Sequence, residues 1–207
     1  MSGMNNSQKY YPTYILIAVN MLVYVYSSVV GGSFLQTGDS VLYQWGQTGA
    51  AVLGGAYYQL LTSMFIHADI VHIAGNMIFL LVFGLRCEEM FSLPEYLTIY
   101  FIGGIAGNLL SLLFLPLIFV SIGASGAIFS LFGAAVVHAR RSVGQSVIGA
   151  LIYGFFLLFL SSAPNVNNLA HIGGLVVGLI IGYALAARRK RGSQYKLTYS
   201  YGNPLSI

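Results

Sequence analysis

Residues 170–182 read AHIGGLVVGLIIG, and this stretch decides how the chain packs. Glycines at 174, 178 and 182 recur at every fourth position, so they share one stripe of a helix. In a membrane, a stripe of small residues lets a second backbone approach closely. His171 lies at the beginning of the same stripe. The stretch therefore predicts a closely packed helix with an imidazole near one end.

The composition around this stretch is that of a membrane protein. The chain has 207 residues, of which 57% are hydrophobic and 7% charged, and its mean hydropathy is +0.79. About 20 mostly apolar residues cross the roughly 30 Å of hydrocarbon in a bilayer. We therefore expect an all-α polytopic protein with six transmembrane helices in a bundle. The segments that qualify or nearly qualify are 13–30, 70–86, 95–115, 125–139, 145–161 and 169–187.

The same segments divide the chain into three parts. We expect residues 1–12 to be a cytoplasmic tail, 13–187 the membrane domain, and 188–207 a basic cytoplasmic tail. The longest connection, about 31–69, is rich in glycine and aromatic residues. Because such aromatics suit the headgroup interface, this outer loop is predicted to rest on or partly in the outer leaflet.

Lysine and arginine give the expected orientation. If the N-terminus is inside, every basic residue falls on the cytoplasmic side, as the positive-inside rule requires. The net charge of +4 is thus a topology signal, directed at the anionic inner leaflet, and gives no indication of a nucleic-acid partner. We expect a multi-pass protein of the cell membrane. The basic residues are Lys9, Arg86, Arg140, Arg141, Arg188, Arg189, Lys190, Arg191 and Lys196.

Three polar side chains share one predicted depth. His72, Ser125 and His171 precede the arginine that ends their own helix by 14, 15 and 17 residues. At 1.5 Å per residue these separations are about 21, 23 and 26 Å, so the three lie within about one helical turn. The glycine stripe would then bring His171 against Ser125.

A serine and a histidine within hydrogen-bond reach can act as nucleophile and general base. His72 and Asn76 can donate hydrogen bonds to a developing oxyanion, and the Ser125 N–H at a helix start adds a third donor. All five acidic residues lie in loops or near helix ends. The pattern therefore predicts a dyad without a carboxylate, and Phe129 is a candidate packing surface for the imidazole.

At these positions the sequence resembles the rhomboid family of intramembrane serine proteases. Gly123 and Gly126 flank Ala124-Ser125 in the GxSG pattern, and AHIGG at 170–174, followed by Gly178, matches AHxxGxxxG. HIAGN at 72–76 matches HxxxN. The resemblance covers about residues 10–190. It implies Ser125 as nucleophile, His171 as base, His72 and Asn76 at the oxyanion, and Gly123, Gly126, Phe129 and Gly174 in support.

The resemblance further implies cleavage of transmembrane segments of other proteins, without metal or cofactor. Two positions depart from the family pattern. Tyr58-Gln59 stands where the family often has Trp-Arg, and Phe129 stands where it often has Tyr. Neither change removes one of the implied catalytic groups.

Other interpretations stay open from the sequence. A non-catalytic rhomboid-like protein could bind transmembrane helices, although it should lack Ser125 or His171. A small transporter could use the histidines as a relay, but it should show a repeat and a polar path inward. A metal site at His67, Asp69 and His72 would lack the HExxH pattern of zinc proteases. The natural substrate and the oligomeric state are not indicated.

Overall fold

The structure is a computed structural model that describes residues 11–143 and 166–188. Regular structure in these two ranges is helical, and no strand occurs in them. Five of the six predicted helices are present, while the predicted helix at 145–161 lies outside the described residues. The long helices are α1 (Pro12–Val30), α5 (Ile70–Met90), α6 (Leu93–Phe114), α7 (Ser125–Val143) and α8 (Asn168–Arg188).

Four of these helices are long and apolar enough to cross a bilayer, namely α1, α5, α6 and α8. The apolar part of α7, Ser125–Ala139, is shorter. A chain with several such helices is a multi-pass membrane protein, as the composition predicts. Most of the predicted tails, residues 1–10 and 189–207, lie outside the described residues.

The segment 31–69 is more regular than a loop. It contains a 3₁₀ turn at Ser63–Phe65 and three short helices, α2 (Asp39–Trp45), α3 (Gly49–Leu53) and α4 (Gln59–Thr62). Sequence periodicity does not detect helices this short, because each is less than two or barely two turns long.

One buried side chain, that of Gln59, forms hydrogen bonds with three backbone groups of this segment. Its carbonyl oxygen accepts the Thr48 N–H at 3.1 Å, and its amide donates to the backbone oxygens of Tyr43 and Gln44 at 3.1 and 3.2 Å. Gln47 then connects the segment to the strand-like residues before α7, through backbone bonds of 2.9 and 2.8 Å with Ser121. The segment is therefore fixed to the bundle at the end where α7 begins.

The glycine stripe forms the contact between α7 and α8. A Cβ added at Gly174 would overlap the backbone oxygen of Gly126, and one at Gly178 would overlap that of Ser130. At Gly182 a Cβ would overlap the backbone of Ala134. This arrangement confirms the predicted packing of the two helices, backbone against backbone.

Candidate active site

Ser125 and His171 lie next to each other where α7 and α8 begin. The Ser125 Oγ lies 2.7 Å from the His171 Nε2, which is hydrogen-bond distance. Ser125 is the first residue of α7 and is partly exposed, whereas His171, in the first turn of α8, is buried. The predicted proximity of the two side chains is therefore present in the structure.

The turn before Ser125 depends on glycine. Gly123 has φ of 109°, a backbone conformation that residues with a side chain rarely adopt. Its N–H donates to the backbone oxygen of Ser63 at 2.9 Å. A Cβ at Gly123 would also lie 2.8 Å from the His72 Nε2. Glycine at 123 is thus required both for the turn and for the approach of the His72 ring.

The imidazole of His171 is held mainly by packing. The Phe129 ring, one turn after Ser125, stacks on it with centroids 4.7 Å apart and an interplanar angle of 25°. The buried Nδ1 of His171 has no hydrogen-bond partner among the residues that the structure describes. Within the described ranges, no carboxylate forms a hydrogen bond with this ring.

His72 and Asn76 lie on α5 and line the same cavity as Ser125 and His171. The Asp69 carboxylate caps α5 by accepting the His72 N–H at 2.8 Å, which fixes the helix start next to His72. The Asn76 amide donates to the His72 backbone oxygen at 2.9 Å, and its second amide hydrogen is not used by that bond. Both side chains therefore retain a polar group that can face a ligand.

These four side chains line one cavity of about 340 Å³, here named the Ser125 cavity. Its remaining described lining is mostly apolar and includes four phenylalanines. The apolar lining comprises Val71, Phe79, Phe83, Ile128, Phe129, Phe132 and Val166.

His67 is closer to the site than its sequence position suggests. It is fully buried, and its ring packs edge-on against His72 with centroids 5.1 Å apart. Its Nε2 accepts the Ala124 N–H at 3.4 Å. Burial, reinforced by the neighbouring His72, lowers the pKa of His67 to about 3, so the ring is neutral at physiological pH.

Two predicted supporting glycines have defined neighbours. A Cβ at Gly126 would come within 3.2 Å of the Ala170 backbone oxygen, next to His171, and Gly174 packs on Gly126. His138, in contrast, packs on Phe91 at 5.1 Å, away from the Ser125 cavity. Within the two described ranges, no group of three His, Cys, Asp or Glu side chains is arranged to hold a metal ion.

Sequence analysis missed a second group of polar residues behind the site. Asn108 of α6 donates to the Leu60 backbone oxygen and to the Ser63 Oγ, both at 2.9 Å. Gln47 donates to the Asn108 backbone oxygen at 2.9 Å. Because these side chains come from distant segments without a common motif, only the fold brings them together. They hold the backbone that in turn binds Gly123.

Comparisons with known proteins identify the family of this chain. The family model described as "Rhomboid domain" matches residues 54–188, which include all the residues named in the motifs. The chain is therefore a polytopic helical membrane protein with a serine–histidine pair at a glycine-rich helix contact. It belongs to the rhomboid family.

Individual relatives cover different shares of their own length. "Rhomboid protease GluP" of Bacillus subtilis is 33% identical over 181 residues, which is 84% of this chain and 34% of that protein. "Putative rhomboid protease YdcA" of the same species is 30% identical over 184 residues, 85% and 89% respectively. "RHOMBOID-like protein 6, mitochondrial" of Arabidopsis thaliana is 35% identical over 158 residues, 73% of this chain and 51% of that protein. The chain thus spans about half of the length of one of these relatives and about a third of another.

Proposed function

We propose that the chain is an intramembrane serine endopeptidase that cleaves transmembrane segments of other membrane proteins. The observation that carries the proposal is the 2.7 Å separation of the Ser125 Oγ and the His171 Nε2 inside the Ser125 cavity. Family membership agrees with this activity, since two relatives carry the word protease in their names.

In the proposed reaction, the Ser125 oxygen attacks the scissile carbonyl carbon while the His171 Nε2 takes the hydroxyl proton. The imidazolium then gives that proton to the leaving amine, and the C–N bond breaks to leave an acyl-enzyme. Water, deprotonated by His171, hydrolyses the ester and restores Ser125. Stacking on Phe129 keeps the ring oriented in the absence of a third partner among the described residues.

The negative charge that develops on the carbonyl oxygen must be stabilised by hydrogen-bond donors. The free N–H groups at the start of α7 include that of Ser125, and His72 and Asn76 face the same cavity from α5. Donors that are in place before the reaction stabilise the oxyanion without reorganisation. We assign His72 and Asn76 to this role, with Gly123 and Gly126 giving the peptide access to the backbone.

The substrate class follows from the lining of the cavity. Phenylalanines and aliphatic side chains favour an apolar peptide over a charged one. A helical substrate hides its carbonyl groups in its own hydrogen bonds, so the segment must unwind locally before attack. The proposed substrates are therefore transmembrane helices with residues that weaken helical structure.

The proposed orientation places the Ser125 cavity near the outer face of the cell membrane. Arg86 lies near the end of α5, and Arg188 ends α8, both at the opposite end from Ser125. Under the positive-inside rule these ends are cytoplasmic. Labelling of single cysteines introduced at exposed Phe34 and Arg86, with a membrane-impermeant maleimide on intact cells, tests this: only the first should react.

The activity is tested with purified protein and a helix-destabilised transmembrane substrate. Ser125→Ala and His171→Ala should each lower the cleavage rate by roughly 10⁴-fold or more, because the two groups act as one unit. Wild type should also react covalently with a fluorophosphonate, and Ser125→Ala should not. If both variants cleave as well as wild type, the dyad assignment is wrong and helix binding without catalysis becomes the better description.

A further inference from the structure

Three side chains behind the Ser125 cavity form one buried polar cluster, here named the Asn167 cluster. Ser111 comes from α6, Ser121 from the residues before α7, and Asn167 from the residue before α8. Their exposed fractions are 2%, 4% and 9%, so water hardly reaches them. Because buried polar groups are costly unless they are paired, the cluster calls for a structural or functional reason.

The amide of Asn167 is fully engaged. Its Nδ2 donates to the Ser111 Oγ at 2.8 Å and to the Ser121 Oγ at 2.6 Å. Its Oδ1 accepts the Ala170 N–H at 3.0 Å, which caps α8. Both amide hydrogens and the amide oxygen thus have partners, and no shorter side chain could make all three bonds.

The cluster connects the two backbone segments that carry the dyad. Ala170, whose N–H is held by Asn167, directly precedes His171, and the Asn167 backbone oxygen accepts the His171 N–H at 3.4 Å. Ser121 lies four residues before Ser125, in the segment paired with Gln47. The side-chain amide of Asn167 therefore connects the start of α8 to the residues before α7.

This link matters because His171 has little else to orient it. Its Nδ1 has no partner among the described residues, so the ring position depends on Phe129 and on the helix start itself. A displacement of about 1 Å between reacting groups can lower a rate by about 100-fold. Fixing the start of α8 relative to the residues before α7 is therefore a way to keep the distance between the two reacting atoms constant.

We infer that Asn167 is a positioning residue for the dyad, acting through the backbone of α8 and through Ser121. The inference rests on the proposed function of Ser125 and His171. It differs from a simple helix cap, since a cap would need only the bond to Ala170. The bridge to Ser121 is the part that sets the distance between the two catalytic segments.

Two variants separate the cap from the bridge. Asn167→Ser keeps a side-chain oxygen that can cap α8 but is too short to reach Ser121. Ser121→Ala removes the bridge from the other side and leaves the cap in place. Asn20→Ala is the matched control, because Asn20 is a buried asparagine of α1, outside the Asn167 cluster, whose amide donates to the Leu16 backbone oxygen at 2.8 Å.

The test measures kcat and KM for a transmembrane substrate, the rate of Ser125 labelling by a fluorophosphonate, and thermal unfolding in detergent. Asn167→Ser and Ser121→Ala should each lower kcat and the labelling rate by about 10- to 100-fold. KM should stay within about twofold of wild type, and the double variant should fall little further than either single variant. Asn20→Ala should lower the unfolding temperature without slowing the labelling of folded protein.

Opposite results are distinguishable. If Asn167→Ser and Ser121→Ala label and cleave within about twofold of wild type, the positioning role is wrong while the proposed function stands. The same conclusion follows if the two rates fall only in proportion to the folded fraction. If wild type and Ser125→Ala behave alike, the proposed function is wrong, and the positioning role falls with it.

Discussion

The wall of the Ser125 cavity that carries Ser125 and His171 packs backbone on backbone, whereas the wall formed by α5 packs through side chains. On the first side, here named the dyad wall, α7 and α8 touch through Gly174 and Gly178. On the second, the α5 wall, the Phe83 ring meets Phe132 at 5.1 Å. Backbones in contact allow little adjustment, while rings can shift among rotamers. Under the proposed function, the dyad wall is thus suited to hold the two reacting atoms, and the α5 wall to accommodate varied peptides.

The largest expected effect on activity and stability together comes from the dyad wall. Gly174→Ala places a methyl group against the Gly126 backbone oxygen, so α8 must move away from α7 and carry His171 with it. Cleavage should fall by about 100-fold or more, and overpacking should lower the unfolding free energy by about 1–3 kcal/mol. Substrate cleavage and unfolding in detergent measure the two effects.

Gly75→Ala is the matched stability control on the α5 wall. A Cβ at Gly75 meets no described atom within 4 Å, and alanine is favoured over glycine in a helix by about 0.5–1 kcal/mol. Its stability should equal or exceed that of wild type. Equal unfolding temperatures for Gly174→Ala and Gly75→Ala would contradict the difference drawn between the two walls.

The next effect tests the polar part of the α5 wall. His72→Ala removes a proposed oxyanion donor and should lower kcat by about 10²- to 10³-fold. Ile78→Ala, on the exposed face of the same helix, should leave kcat near that of wild type. Steady-state cleavage of one substrate by both variants is sufficient. Similar kcat values for the two would remove His72 from the oxyanion site.

A smaller effect is expected from the apolar part of the α5 wall. Phe79 lines the Ser125 cavity and stacks on Phe83 at 6.1 Å. Phe79→Ala should raise KM for a transmembrane substrate by roughly threefold to tenfold, since an aromatic contact contributes about 0.5–1.5 kcal/mol. Labelling by a small fluorophosphonate should change by less than about twofold. A large fall in labelling would mean that the α5 wall also positions the dyad.

The last effect falls on stability and not on catalysis, and it concerns His67, which touches both walls through His72 and Ala124. The unfolded chain binds a proton at this imidazole below about pH 6.5, but the folded chain keeps it neutral down to about pH 3. The folded state therefore binds fewer protons in this window, and stability is lost as the pH falls through it. Above about pH 6.5 the full contribution of His67 is present.

The measurement compares wild type with His67→Asn, which does not titrate. The unfolding free energy of wild type should decrease more steeply between pH 6.5 and 4, by up to about 1.4 kcal/mol per pH unit for one proton. Identical slopes for the two proteins would show that His67 is protonated in the folded state.

Five helices and the proximity of Ser125 and His171 could be predicted because each leaves a local signal. The length of the apolar segments identifies α1, α5, α6 and α8, and glycine at every fourth residue of α8 identifies the α7–α8 contact. Counting residues from the terminal arginines places Ser125 and His171 at one depth without knowledge of the fold. The family motifs then distinguish these residues from other polar groups.

The supporting network could not be predicted in the same way. Asn167 follows a stretch rich in turn-forming residue types, and an asparagine before an apolar run is a helix-start signal. Nothing in the local sequence indicates its bond to Ser121, 46 residues away. His67 likewise lies in a loop, and its burial depends on how residues 35–37 pair with the start of α5 and on its contact with Ala124. Such contacts depend on tertiary structure and not on periodicity.

Gln59 has a consequence for how the segment 31–69 meets lipid. Where the family often has an arginine, this chain uses an uncharged amide to bind three backbone groups. A guanidinium in an apolar phase needs a counter-charge or water, but an amide whose donors and acceptor are satisfied needs neither. At this position the segment can therefore contact hydrocarbon without dehydrating an ion, so the contact of Gln59 and its neighbours with the bilayer should be insensitive to ionic strength and to the charge of the surrounding lipid headgroups.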